Sequence, residues 1–280
     1  MCETIRILYI GSGDIVKKTT LLLLSFAFLI FLSTTVLADA VTVDKKDVER
    51  GYITVKYNEG FEKAVKIKVI VDNKSDGYWY DLKTNNPVTI PLQMGNGNYC
   101  VYVLRHLVDN SYSVIYKENF DVAVKSANDM FVISNPYIDF NQGMEFYRAY
   151  SSEHAAIADI TQKIQKYYDQ VVRDYVYDYE KLKNIPSGYV PVIDKTFAAK
   201  KGICSDYSTL LAGYLRACGV PVKLVMGYAP EIKEYHAWNE IFIGGKWVVV
   251  DATYDSAYVH AGYSYTMAKD GAKFQVIKTY

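Results

Sequence analysis

Cys204, His236 and Asp251 supply a thiol, an imidazole and a carboxylate in that chain order, the side chains that nucleophilic acyl chemistry needs. Cys204 follows Lys201-Gly202-Ile203 and opens a helical pattern in which Tyr207, Leu210, Leu211, Tyr214, Leu215 and Cys218 fall on one stripe. A thiol in the first turn of a helix meets unpaired backbone N–H groups and the positive end of the dipole, which favour a thiolate. The same N–H groups can hold the oxyanion of a tetrahedral intermediate. Taken alone, Cys204 reads first as a small half-buried residue at a helix start, and only its company makes it a nucleophile. The other two residues are tied by hairpin arithmetic. Residues 236–243 and 246–251 read as strands joined by Gly244-Gly245. A two-residue turn pairs Ile243 with Lys246, and counting back pairs Trp238 with Asp251 and His236 with Thr253. His236 and Asp251 are then diagonal neighbours on one face, about 7 Å apart or less, and the carboxylate can fix the imidazole tautomer. A one-residue slip in the turn would send Asp251 to the opposite face.

The words around these residues are specific. Gly202-Ile203-Cys204-Ser205-Asp206-Tyr207, Leu215-Arg216-Ala217-Cys218-Gly219-Val220-Pro221, Tyr235-His236-Ala237-Trp238-Asn239-Glu240 and Gly245-Lys246-Trp247-Val248-Val249-Val250-Asp251-Ala252-Thr253 resemble the core of the transglutaminase-like superfamily. The resemblance runs over residues 152–254, with Tyr177-Asp178-Tyr179 a weaker part of it, and leaves out the first half of the chain. It implies a papain-like fold, in which a helix carrying the thiol packs on an antiparallel sheet carrying the other two groups. By the same resemblance Cys204 matches the nucleophile, His236 the base and Asp251 the residue that orients the base. The implied chemistry is attack of the thiolate on an amide carbonyl and a thioester that passes its acyl group to an amine or to water. Such families hold Gln-Lys cross-linkers, peptidases, amidases that release glycans and inactive members, so the resemblance gives a reaction class and no substrate.

The elements that must position these residues follow two periods. In the second half, Ile157, Ile160, Ile164, Tyr168, Val171 and Tyr175 recur at helical spacing, with Ser151 or Ser152 as N-cap and Glu153 in the first turn. Residues 184–201, holding Pro186, Gly188 and Pro191, read as loop. The Cys204 helix stops at Gly219 and Pro221, and residues 222–228 alternate as a strand. That half is an α+β domain over 151–280. The first half alternates at period two: Ile53, Val55, Tyr57; Val65, Ile67, Val69, Val71; Tyr99, Val101, Val103; Tyr112, Val114, Tyr116. Short strands broken by Asn, Gly, Asp and Pro predict an immunoglobulin-like β-sandwich of about seven strands over 41–125, with 126–150 as a linker.

Composition bounds the rest. Lys plus Arg and Asp plus Glu number 31 each, so no net field draws the chain to nucleic acid or to an anionic membrane. Lys17 and Lys18, the uncharged apolar run 21–32 and the small residues at Ala38-Asp39-Ala40 have the layout of a secretory signal over residues 1–40. The basic pair suggests a start near Val16, and an uncleaved leader would be the only membrane attachment. Location outside the cytoplasm and a protein or cell-wall peptide substrate are the corresponding expectations, with the oligomeric state open. Of the four Cys, Cys2 falls in or before the leader, and Cys100, Cys204 and Cys218 leave an odd count, which is no disulfide framework. Cys218 lies on the buried stripe of its helix and reads as structural. His106, His154 and His260 lack zinc-type companions, and Gly11-Ser12-Gly13 follows no strand of a βαβ unit, so neither metal nor cofactor is expected. Trp238 and Trp247 fit either the wall of a site or core.

Overall fold

The computed structural model describes residues 40–74, 76–154 and 157–280. The leader expected over 1–40, with Cys2 and Gly11-Ser12-Gly13, lies outside the described residues but for Ala40. Among the described residues no helix is long and apolar enough to cross a membrane. The chain divides into two compact units, one running to Lys125 and the other from Ser126 to Tyr280.

The first unit is all β. Its strands are β1 (Val41–Asp44), β2 (Tyr52–Tyr57), β3 (Val65–Val71), β4 (Tyr78–Leu82), β5 (Val88–Pro91), β6 (Gly97–Val108) and β7 (Ser111–Val122). They form two antiparallel sheets, in the orders β1-β2-β5 and β4-β3-β6-β7. The alternation read from the sequence is the burial pattern: Ile53, Val55, Tyr57, Val65, Ile67, Val69, Tyr99, Val101 and Val103 are all buried. Each such side chain contributes about 1.5–3 kcal/mol by leaving water. β7 is an edge strand, and its Val114 stays exposed. The Tyr99 hydroxyl, near the start of β6, sits 2.8 Å from the Leu92 carbonyl and 2.9 Å from that of Gly95, and accepts the Met94 N–H at 3.1 Å. It pins the crossing between the sheets. His106 lies 2.7 Å from the Asp109 carbonyl and packs edge-on against Tyr112.

The second unit mixes helices with a sheet. Its helices are α1 (Glu145–His154), α2 (Ile160–Asp174), α3 (Tyr179–Lys183), α4 (Ile193–Ala199), α5 (Cys204–Ala217) and α6 (Ala252–His260). The short parallel pair β8 (Val176–Tyr177) and β9 (Lys201–Gly202) precedes α5. A four-stranded antiparallel sheet runs β12 (Lys246–Val250), β11 (His236–Ile243), β10 (Val222–Tyr228), β13 (Gln275–Thr279). α5 is the centre of the unit, buried continuously from Asp206 to Arg216, and it packs on β10 and β11.

Several expectations are corrected. Residues 126–150 are no linker: Met130, Phe131, Ile138 and Phe146 are buried in the second unit, with Phe131 edge-on to Trp247 and Phe146 to Tyr214. Ser151 and Ser152 are no N-cap, because both lie inside α1. α2 starts later, where the Asp159 carboxylate accepts the Gln162 N–H at 2.8 Å. The segment 184–201, read as loop, holds α4, seven residues closed by Lys200 in the left-handed region at φ 51°. The described cysteines Cys100, Cys204 and Cys218 are free thiols, and Cys218 Sγ turns back to the Tyr214 carbonyl at 3.3 Å.

Candidate active site

Cys204 is the first residue of α5 and is half-buried. What fixes it is Asp206, two residues on and wholly buried. Its carboxylate accepts the Ile203 N–H at 2.8 Å, the Lys181 ammonium at 2.6 Å, the Tyr189 hydroxyl at 2.5 Å and the Thr196 hydroxyl at 3.4 Å. One carboxylate thus ties α3, the loop after it and α4 to the residue before the thiol. Gly202 leaves the room for this, since a Cβ there would lie 2.5 Å from the Asp206 Cβ. The β8–β9 pairing sets Tyr177 opposite Gly202, and its phenol lies beside Cys204. Burial, with the nearby Cys204, raises the Tyr177 pKa and keeps that phenol protonated.

His236 is the first residue of β11, 5% exposed, and Asp251 is the last residue before α6, 2% exposed. His236 Nε2 and Asp251 Oδ2 are 2.8 Å apart. The hairpin register holds as counted, from Ile243↔Lys246 to Asn239↔Val250, around a turn with Gly244 at φ 58° and Gly245 at φ 82°. Positive φ at both central residues matches the twist of the strands and needs little but glycine, Asn or Asp. The pairing of His236 with Thr253 does not occur. β12 stops at Val250 and Thr253 is inside α6, because Asp251 caps that helix through Oδ1, which accepts the Tyr254 N–H at 3.0 Å. Asp251 thus serves as partner of the imidazole through Oδ2 and as cap of α6 through Oδ1. The sheet is locked to α5 by Asn239, whose Nδ2 donates to the Ser208 carbonyl at 3.0 Å and to that of Lys223 at 3.2 Å.

Burial opposes a charge on His236, but the hydrogen bonds and charges of Asp251 and Cys204 outweigh it and push its pKa from 6.5 up to about 10. With Nε2 held by Asp251, Nδ1 is the ring nitrogen left for the Cys204 thiol. Imidazole and carboxylate are thus hydrogen-bonded, and Cys204 is among the groups that raise the pKa of the same ring.

Behind Asp251, one helical turn along α6, Asp255 is 1% exposed. It accepts the Tyr168 hydroxyl at 2.5 Å and pairs with Lys269. Burial raises the Asp255 pKa, and the Lys269 and Tyr168 bonds pull the other way. A cavity of about 190 Å³ opens beside Asp251, lined in part by Pro230, Glu231, Tyr254, Lys269 and Phe274. Trp238 is core: it is fully buried, with its ring 5.1 Å from Phe274. Gly227 permits that packing by letting β13 come close, since a Cβ there would lie 2.0 Å from the Gln275 carbonyl oxygen. Trp247 packs between Phe131 and Phe242 with Lys223 4.0 Å above its ring, so it too is structural. Among the described residues no group of three or more His, Cys, Asp and Glu could hold a metal ion.

A thiol at a helix start packed on an antiparallel sheet that carries a paired imidazole and carboxylate is a papain-like arrangement. Residues 148–252 match the model of the transglutaminase-like superfamily, and this segment is a transglutaminase-like domain. No curated protein matches the chain. Among solved structures it is similar to a cysteine-protease candidate from Cytophaga hutchinsonii, at 14% identity and TM-score 0.43 over 82% of this chain and 83% of that one. It is also similar to LapG of Legionella pneumophila, at 11% and 0.38 over 49% of this chain and 74% of that one. The periplasmic domain of TgpA from Pseudomonas aeruginosa follows at 14% and 0.34, over 77% of this chain and 96% of that one. Likenesses this distant carry no argument about activity.

Tyr177, Asp206, Asp255 and Lys269 were not singled out by sequence. Tyr177 and Asp206 stand inside the words that carry the family resemblance, which is the one signal that pointed near them.

Proposed function

We propose that this chain is an exported thiol enzyme that takes an acyl group from peptide or protein amides through Cys204, His236 and Asp251. The observation that carries it is the buried His236–Asp251 pair, with Nε2 and Oδ2 2.8 Å apart and the thiol of Cys204 acting on the same ring. The Cys204 thiolate attacks the amide carbonyl and its electron pair moves onto oxygen. The backbone N–H groups in the first turn of α5, Cys204 included, are the donors that can hold that oxyanion. The His236 imidazolium gives its proton to the departing amine, leaving a thioester on Cys204. An incoming amine or water then gives its proton to His236 and takes the acyl group. Asp251 holds the ring and its charge throughout.

The reading of the first unit as immunoglobulin-like is supported by its three-plus-four strand sheets and by the Tyr99 hydroxyl on the backbone just upstream of β6. Export is supported by the leader layout at residues 17–40.

The test is selective alkylation. Iodoacetamide at about pH 5.5 should modify Cys204 at least tenfold faster than Cys218, because an ordinary thiol is almost fully protonated there. Equal rates, together with full activity of Cys204→Ala on every amide tried, would sink the proposal. Incubation with a glutamine peptide, with and without a labelled primary amine, separates transfer from hydrolysis. Enrichment on Cys204→Ser then identifies the substrate.

A further inference from the structure

Two buried carboxylates stand one helical turn apart at the start of α6, and they face different partners. Asp251 holds His236. Asp255, whose own N–H donates to the Asp251 carbonyl at 3.1 Å, holds Tyr168 from α2 and Lys269 from the segment after α6. Side chains four residues apart on a helix are neighbours, with Cβ atoms about 6 Å apart. Two anions so close in a buried place repel each other, and the Asp251 charge raises the pKa of Asp255.

The Lys269 ammonium is built into this place. Its backbone N–H donates to the Val249 carbonyl at 2.9 Å, Ala268 bridges to Val250, and its Nζ also reaches the Thr266 carbonyl. The segment 266–270 is thereby fastened along β12, the strand that delivers Asp251. Lys269 is largely buried, with 17% of its side chain exposed, and lies 5.7 Å from the centre of the Tyr254 ring.

We infer that Asp255 and Lys269 are positioning residues for the proposed reaction: a charge-balanced pair that keeps the Asp251 carboxylate aimed at His236, and so sets how firmly His236 holds its proton. The inference rests on the reading of Cys204, His236 and Asp251 as a catalytic line. With the pair intact, the charges behind the thiol run imidazolium, carboxylate, carboxylate, ammonium, and the Asp255 carboxylate and Lys269 ammonium offset each other. Take away the Asp255 charge and the Lys269 ammonium is left unbalanced near the imidazolium, which must then lose its proton more easily. Take away the Lys269 charge while keeping a donor for Asp255 and the imidazolium is held more tightly. The other groups facing the couple are Cys204, the neutral phenols of Tyr168, Tyr254 and Tyr265, and Glu231, which accepts the Tyr254 hydroxyl at 2.7 Å. Asp270 and Lys273 line the adjoining cavity and offset each other.

The experiment is an NMR titration of the His236 ring in the full chain labelled at histidine, from pH 6 to 11, with its signal assigned by its loss in His236→Gln. Asp255→Asn should lower the midpoint by about one pH unit and Lys269→Gln should raise it by a comparable amount, while the double variant returns to within about 0.3 of the parent. Tyr168→Phe removes a hydrogen bond from the same carboxylate without a change of charge, and should leave the midpoint in place. A role confined to packing would lower the stability of all four variants and move no midpoint. Should Asp255→Asn not fold, Lys269→Gln decides alone: an upward shift supports the inference and an unmoved midpoint overturns it. Because the readout is the imidazole and not turnover, an unreactive Cys204 would overturn the proposed function and leave this result standing.

Discussion

At the scale of single residues, Asp251 divides its two oxygens between two tasks, and substitution can separate them. Asn caps a helix about as well as Asp, so Asp251→Asn keeps the Tyr254 bond and loses the charge that orients the imidazolium. Amide turnover should fall by roughly 10²–10⁴, and stability near pH 7 should fall as well, because the charge that raises the His236 pKa is gone while the cap remains. Asp251→Ala should lose the same activity and about 1 kcal/mol more in urea unfolding, the worth of a cap. The ionisation of His236 makes a second prediction. Its pKa rises on folding from 6.5 to about 10, so the folded state binds a proton that the unfolded state releases. The stability from this group is fully present below pH 6.5 and is lost as pH climbs to about 10. Melting temperature should therefore decline through that window in the parent protein, and decline less in Asp251→Asn. A parent curve as flat as the variant's would mean that the buried imidazole is not held charged.

At the scale of elements, the half of the site that could be read from sequence was the half built by local rules. Gly244-Gly245 fixed the register of β11 on β12, and the stop at Gly219 and Pro221 fixed the end of α5. The Val-Val-Val-Asp-Ala-Thr run hides its break, because alternation continues past Val250 and only the cap formed by Asp251 shows that a helix has begun. Likewise Ile157 and Ile160 kept the helical period running across the Asp159 cap, which drew the start of α2 too early. Asp206 was out of reach for a different reason. Its donors come from Lys181, Tyr189 and Thr196, residues without a shared period, and only the folded chain brings them to one carboxylate. That convergence predicts a local failure. Asp206→Asn turns an N–H₂ group toward one of these donors and removes the partner of Lys181, at a cost of about 1–3 kcal/mol. Hydrogen exchange should quicken between residues 181 and 203, and Cys204 should alkylate more slowly at mildly acidic pH. Protection unchanged across that segment would show that Asp206 does not hold it.

At the scale of the molecule, the segments that frame the site are gathered at one buried guanidinium. Arg216, 2% exposed at the end of α5, donates to the carbonyl of Val222 at 2.9 and 2.6 Å, to that of Ile133 at 2.9 Å and to Tyr280 O at 3.0 Å. These acceptors belong to the first residue of β10, to the stretch 126–150 that carried no period, and to the residue after β13. Tyr280 closes the ladder beyond β13, exchanging backbone bonds with Leu224 at 2.9 and 2.7 Å. A planar fork with five donors reaches three separate oxygens in a way that an ammonium cannot, so Arg216→Lys should restore only part of what Arg216→Met loses. Arg216→Met fills a similar volume and takes a donor from three carbonyls, that of Tyr280 keeping its Leu224 bond, for a loss of about 2–3 kcal/mol. The loss should be confined to the second unit. Amides of α5, β10 and β13 should exchange faster together, while those of β3 and β6 keep their protection, since the acceptors Val222, Ile133 and Tyr280 all lie in the second unit. If β3 and β6 lose protection in step with α5, the two units unfold as one and the division at Lys125 is geometric only.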